Sequence, residues 1–184
     1  KMILPIYLYG HPVLRKKSVD ISKDYPDLKQ LIENMFETMY KAEGIGLAAP
    51  QIGENINLVV VDARNLAKDK PELQDFIRVF INPKITCNTE QKVTVEEGCL
   101  SIPGIYENVN RCESLNVEYF NENFEKVTET LDGHKAIVIQ HEFDHLQGIV
   151  FTDRISPIRR KMLQKRLNNI AKGKVGVSYK VKIA

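Results

Sequence analysis

Gln140-His141-Glu142-Phe143-Asp144-His145-Leu146-Gln147-Gly148 carries the pattern H-E-x-x-H. On a helix, residues four apart share a face, so His141 and His145 can aim ring nitrogens at one cation. Glu142 follows the first histidine directly, where a carboxylate can take a proton from water on that cation without being a ligand itself. The flanks favour a helix: Asp132 as N-cap, Ala136-Ile137-Val138-Ile139 as an apolar run, and Gly148 as a stop. The same pattern also arises by chance, with both histidines exposed and Glu142 and Asp144 as solvated charges.

A catalytic zinc-type site uses three protein ligands and keeps one position for water. In the extended pattern H-E-x-x-H-x-x-G-x-x-H, this chain matches through Gly148 and then has Phe151 where the third histidine belongs. No Glu, His or Cys follows His145, and Asp153 is the only later acid. The third ligand is therefore Asp153 or an upstream residue: Cys87, Cys99, Cys112, His11 or His134. His134 shares the helix face of His141 but lies two turns away, about 10.5 Å, too far to bind the same ion. It can still line a pocket.

The chain has 184 residues, 43% hydrophobic and 27% charged, a composition suited to one globular domain over 1–184. No apolar run reaches membrane-spanning length and no signal-peptide layout opens the chain, so no membrane partner is expected. Three cysteines without framework spacing point to free thiols in a reducing compartment. The net charge of +2 is uneven: from Arg154 onward there are ten Lys/Arg and no acid, while residues 1–153 carry −8. A basic tail on an acidic body suits a polyanion such as RNA, or is simply a solvated helix face and strand. Nothing in the pattern suggests DNA.

Residues 3–9 lean toward β and Gly10-His11-Pro12 breaks them. Asp27 to Glu43 reads as a helix on the stripe Leu28, Leu31, Ile32, Met35, Phe36, Met39. Gly44-Ile45-Gly46-Leu47-Ala48-Ala49-Pro50-Gln51 is rich in small residues that allow close backbone approach, and Gln51 adds an amide donor. It lacks the spacing of a phosphate loop, and a tight turn against a sheet is the plainer outcome. Leu58 to Asp62 reads as a buried strand. Val79-Phe80-Ile81 is expected to close at Asn82-Pro83, with a further strand in 84–95. Cys99, in Glu96-Glu97-Gly98-Cys99-Leu100-Ser101, is either a charge-tuned thiolate or a small buried hydrophobe, the latter fitting Cys87 and Cys112 better. Ser114–Phe120 and Phe124–Leu131 form a hairpin about Asn121-Glu122-Asn123. Ser156-Pro157 opens a helix to about Ala171, buried along Ile158, Met162, Leu163, Leu167 and Ile170. The chain then alternates from Val175 to Ile183 as a half-exposed strand.

Together, Gly44–Gln51, Glu97–Ser101 and Gln140–His145 resemble the peptide deformylases. That family carries G-x-G-x-A-A-x-Q, E-G-C-L-S and Q-H-E-x-D-H in this order, and the opening Gly10–Arg15 matches it too. The resemblance implies an α+β fold: mixed and antiparallel sheets around a central helix bearing H-E-x-x-H, with an N-terminal helix, a C-terminal helix and a short C-terminal strand. It implies a hydrolase that removes the formyl group from N-formyl-methionyl nascent peptides. Cys99 becomes the third ligand beside His141 and His145. The family's ion is usually Fe2+, with Zn2+, Ni2+ or Co2+ able to replace it, whereas the residue types alone suit zinc. Glu142 becomes general base and acid, and Gln51 and the Leu100 N–H face the developing negative charge. Ile45, Gly46, Glu97, His134, Ile137 and Val138 are expected around the substrate, which lies as an added strand. Gln140 and Asp144 brace the ligand helix, and Glu97 pairs with Arg111. The family's role implies ribosome docking through the basic C-terminal region. Bacterial cytoplasm is the expected location, with an organelle the other option. Two departures stand out: Tyr106 replaces an arginine common in the family, and the strand after Lys174 is absent from members that end in a helix.

Two other functions fit parts of the pattern. An H-E-x-x-H metallopeptidase would cut unformylated peptides, and a non-catalytic module with a closed structural metal would dock RNA through its basic end. Neither gives the Gln51 segment a purpose.

Overall fold

The computed structural model describes residues 2–184. Its elements in chain order are β1 (Ile6–Tyr7), α1 (Leu28–Lys41), β2 (Gly46–Ala48), β3 (Leu58–Asp62), β4 (Ile77–Cys87), β5 (Lys92–Cys99) and β6 (Ile102–Cys112). They continue as β7 (Ser114–Phe120), β8 (Lys126–Asp132), α2 (His134–Leu146), α3 (Pro157–Ala171) and β9 (Val181–Lys182). This is an α+β arrangement with antiparallel sheets and three helices. The main sheet has the order β2-β3-β4-β7-β8 and is antiparallel throughout. β5 and β6 form a separate antiparallel hairpin, and β1 pairs with β9 in parallel.

The apolar run of β3 follows from its place between two helices. Successive strand residues face opposite sides of a sheet. Val59 and Val61 pack with Ala136, Val138 and Ile139 of α2. Leu58 and Val60 pack with Ile32, Met35 and Met39 of α1. The α1 stripe is as expected, with Leu28, Ile32, Met35 and Met39 buried and Leu31 and Phe36 half-buried. A third cluster joins the β5–β6 hairpin to α3 through Ile102, Ile105, Val109, Leu163, Leu167 and Ile170.

Several expectations need correction. Asn82-Pro83 does not close a strand; β4 runs through it, with a register shift between Ile81 and Lys84. Asn82 takes φ +50° and its side-chain amide pairs with both the N–H and C=O of Ile21, and a bulge is where a strand tolerates a proline. Asp132 is not the N-cap of α2, because it still belongs to β8; Gly133, at φ +59°, makes the turn from strand to helix. Only Ile6–Tyr7 of the 3–9 run pairs as a strand. On α3, Ser156 caps through Arg159 N–H as read, but Ile158 and Met162 are exposed, since the covered face is set by where β6 lies. β6 itself had no expectation, its Pro and Gly having masked the strand pattern.

The cysteine reading is also overturned in part. Cys87 and Cys112 form a disulfide across the ends of β4 and β6, with Cα atoms 6.1 Å apart, leaving Cys99 as the free thiol. A separation of 25 residues gave no hint that these two strand ends are neighbours.

Candidate active site

α2 sets one wall. It begins at Gly133 and stops before Gly148, whose φ is +77° and whose added Cβ would lie 2.6 Å from the Arg15 carbonyl oxygen, so only glycine fits the stop. His141 and His145 sit one turn apart with ring centroids 5.2 Å from each other. β5 sets the opposite wall. Glu97 and Cys99, two apart on a strand, share a face. Cys99 Sγ lies 3.4 Å from His145 Nε2, and Glu97 Oε1 lies 2.9 Å from His141 Nδ1. One donor atom each from Cys99, His141 and His145 falls within 4.8 Å of the others.

The hydrogen bond between Glu97 and His141 Nδ1 fixes the orientation of that ring and leaves Nε2 as its ligand atom. Burial works against charge on His141, but Glu142, Cys99 and Glu97 together raise it well above the ordinary imidazole range, so an ion would bind there by displacing a proton. Burial, then neighbouring His141, holds His145 well below the ordinary imidazole range, so that ring is neutral. Its Nδ1 is buried without a partner. A thiol and two imidazoles converging in this way form a donor set that suits a transition-metal cation. Asp153, the other candidate ligand, is elsewhere: it accepts from Arg15 and from the Val150 N–H. His11 accepts from the Val13 N–H, and Cys87 and Cys112 are paired with each other.

Glu142 lies against this cluster, buried, with Oε1 lacking a hydrogen-bond partner. Burial pushes its carboxyl up to about 7, a shift that His141 and Arg111 oppose and that Glu97 and Asp144 reinforce. Gly46 makes room for it, since a Cβ there would stand 2.6 Å from Glu142 Oε2. The Gly44–Gln51 stretch thus has a steric reason for its small residues. Gln51 is buried and fixed at both ends of its amide. Oε1 accepts from the Ala48 N–H at 3.0 Å, while Nε2 lies 3.1 Å from Ser101 Oγ and 3.6 Å from Cys99 Sγ.

Behind the cluster, Arg111 donates to Glu97 and to Asp144, both at 2.7 Å. Arg154 closes on Asp144 from the other side at 2.6 and 2.8 Å. Burial alone would raise the Glu97 carboxyl, but Arg111 and His141 outweigh it and hold it at about 2. Gln140 binds the backbone of Cys112 twice, accepting from its N–H at 2.9 Å and donating to its C=O at 2.8 Å, which ties α2 to the end of β6.

The cluster opens into a cleft of about 760 Å³. Gln51, Cys99, Leu100, His141 and Glu142 line its inner part. Ile45, Gly46, Ile137, Val138 and His134 also line it, with His134 turned to Glu72 at 2.9 Å. Glu97 reaches the cleft, but both its carboxylate oxygens are taken by Arg111 and His141, which makes it a brace rather than a free substrate contact. His145 sits behind the lining. Sequence reasoning did not find the Arg111–Asp144 contact, Ser101 as partner of Gln51, or Val177 and Tyr179 in the cleft wall. The last two were detectable in principle, since they share the inward face of the terminal alternation.

A thiol and two imidazoles beside a carboxyl raised toward neutrality, at the floor of a cleft, define a metallohydrolase. The model of the polypeptide deformylase family matches residues 3–161, and the chain belongs to that family. It is 48% identical to a peptide deformylase of Christiangramia forsetii over 188 aligned residues, covering 98% of this chain and 96% of the relative. A peptide deformylase of Flavobacterium johnsoniae is 46% identical, with 100% and 97% covered. The crystal structure of the peptide deformylase from Thermus thermophilus superposes with a TM-score of 0.82 at 39% identity, over 94% of this chain and 100% of that one. Membership makes this a metal-dependent hydrolase that removes the N-formyl group from newly made polypeptides. Among the described residues, no helix is long and apolar enough to cross a membrane.

Proposed function

We propose that Cys99, His141 and His145 hold one divalent ion and that Glu142 moves the protons of deformylation. The observation that carries this is the convergence of the three donor atoms within 4.8 Å beside a buried, unpartnered carboxyl oxygen. A divalent ion so held would supply Lewis acidity, activating water near neutral pH and polarising the formyl oxygen. The donor set suits zinc, while the family resemblance favours Fe2+ in the cell, with Ni2+ or Co2+ as substitutes.

Glu142 takes a proton from the attacking water as its oxygen bonds to the formyl carbon. Negative charge grows on the formyl oxygen, where the Gln51 Nε2–H and the Leu100 N–H are the donors that oppose it. One such donor typically contributes about 3 kcal/mol to the transition state. Glu142 then gives its proton to the leaving amine as the C–N bond breaks, and formate departs. A carboxyl with a pKa of about 7 is suited to both transfers near neutral pH.

The substrate lies extended between Gly46 and the backbone after Pro103, with the methionine side chain toward Ile45, Ile137, Val138 and His134. α2 acts as the central element, with the main sheet on one side and the β5–β6 hairpin, through Glu97 and Cys99, on the other. Residues 1–184 act as one catalytic unit in this proposal, Lys1 being outside the described residues. The ten Lys and Arg from Arg154 onward, half of them on exposed α3, support docking to ribosomal RNA. A cytoplasmic location in a bacterium follows from that role.

The test is formate release from formyl-Met-Ala-Ser by protein purified without oxygen, with Glu142→Gln and Cys99→Ala alongside. Wild type should release formate. Glu142→Gln should lose roughly 10²- to 10⁴-fold in kcat with its metal retained, and Cys99→Ala should lose metal and activity together. Release that survives Glu142→Gln would overturn the proton-transfer role, and metal retained at full stoichiometry by Cys99→Ala would overturn the ligand set.

A further inference from the structure

The residues after Ala171 lie beyond the stretch matched by the family model, which ends at residue 161. They return to the catalytic cleft. Gly173, at φ +79°, turns the chain off α3. From there Val175, Val177, Tyr179 and Val181 are half-buried and alternate with exposed residues. β9 fixes their register: Ile6 and Leu8 N–H groups donate to the Lys180 and Lys182 carbonyls, both at 2.9 Å. This places Val177 and Tyr179 in the cleft wall with Cys99 and Leu100.

Leu100 and Ser101 form the two-residue turn between β5 and β6, where Cys99 pairs with Ile102. Both turn carbonyls are held by the chain's two terminal segments. The Tyr9 N–H donates to the Ser101 carbonyl at 2.9 Å, and the Tyr179 hydroxyl donates to the Leu100 carbonyl at 2.7 Å. The grip fixes the Leu100–Ser101 and Ser101–Ile102 peptide planes and with them the Leu100 Cα, so the preceding Cys99–Leu100 plane, which carries the Leu100 N–H, is bounded by that anchor on one side and by Cys99, paired with Ile102, on the other. Leu100 is the residue whose N–H would face the formyl oxygen, and its side chain packs toward Gly44.

We infer that Tyr179 is a positioning residue for deformylation: its hydroxyl holds the Leu100 turn so that the Leu100 N–H is aimed before substrate arrives. The inference rests on the proposed role of Leu100 as a donor to the formyl oxygen. A donor aimed in advance stabilises charge that appears only in the transition state, so weakening its aim lowers kcat and leaves KM nearly unchanged.

The experiment compares Tyr179→Phe, which deletes only the hydroxyl, with wild type and Glu142→Gln on formyl-Met-Ala-Ser, together with the melting temperature and metal content of each. Activity in wild type and its loss in Glu142→Gln test the underlying mechanism separately. With that in place, Tyr179→Phe is expected to lose about tenfold in kcat, with KM within twofold and metal content unchanged, since complete loss of such a donor costs roughly 10²- to 10³-fold. Unchanged kcat would overturn the inference. So would a rise in KM at constant kcat, which would make Tyr179 a ground-state contact. A fall in kcat matched by a loss of metal would overturn it as well, the effect then being structural. Should Tyr179→Phe fail to fold, Tyr179→Leu, which also lacks a donor, is read by the same constants.

Discussion

Arg111 donates to both carboxylate oxygens of Glu97 at 2.7 Å, in a position almost closed to water, and through Glu97 it holds His141. The same guanidinium reaches Asp144, which Arg154 also holds, so Arg111 is shared between two buried acids while Glu97 relies on it alone among the arginines. Arg111→Met is expected to destabilise the fold by about 3–5 kcal/mol, because it strands the buried Glu97 carboxylate, whereas Asp144 keeps Arg154. Thermal melting checks it. Glu97→Gln should fold, yet bind its metal roughly 10- to 100-fold more weakly, as removal of a partner from a ligand histidine commonly does. Competition with a chelator measures that loss.

Gly46→Ala tests the spacing between β2 and α2. The added methyl would stand 2.6 Å from Glu142 Oε2, and the strand offers it no other direction. The expected outcome is a folded protein with full metal whose kcat falls at least tenfold, as Glu142 is pushed off its line to the attacking water. Normal turnover in the alanine variant would mean that this carboxylate has freedom the packing does not show.

Asp62 closes β3 and accepts from Arg64 and from the Tyr40 hydroxyl at 2.6–2.9 Å. The Arg64 hydrogen bond, outweighing burial, holds its carboxyl below the usual 3.8. A carboxyl lowered in the fold adds stability that is fully present above its unfolded value and fades as pH falls through its folded one. Asp62→Asn should therefore cost about 1 kcal/mol at pH 7, a figure kept small because Arg64 is half-exposed. The gap between variant and wild-type melting temperatures should shrink once pH drops below about 4. A gap constant from pH 7 to pH 3 would show that the ion pair contributes nothing.

The Cys87–Cys112 disulfide closes a loop of 25 residues between β4 and β6. Cross-links of that span contribute about 3 kcal/mol by restricting the unfolded chain. Reductant should lower the wild-type melting temperature by several degrees and leave Cys87→Ser unaffected. Equal melting of wild type with and without reductant would count against the cross-link.

The site was more legible than the fold. Motifs such as H-E-x-x-H place chemistry through local spacing, so His141, Glu142 and His145 could be placed on one helix from sequence alone. Cys99 could not: residue chemistry left Asp153 and four upstream candidates, Cys87, Cys99, Cys112 and His11, and the family resemblance chose among them. In the fold, α1 and α3 announced themselves by periodicity and by Ser156-Pro157. Long-range pairings did not. The exposed faces of Ile158 and Met162, the bulge at Asn82 and the meeting of Cys87 with Cys112 each depend on a neighbour distant in sequence. Tyr179 belongs with them, since its partner Leu100 lies 79 residues earlier.

The pairing of β1 with β9 has a bearing on how the molecule is made. Ile6 and Val181 are register partners, so this contact joins the first strand to the last. The two partners are 181 − 6 = 175 residues apart, and contacts across so long a loop form late because closing it costs entropy. Ile6–Tyr7 must therefore wait, unpaired, through synthesis until Val181 and Lys182 are free to pair. An enzyme that serves emerging chains would itself gain its finished Leu100 turn only once its own Tyr179 has been made and seated.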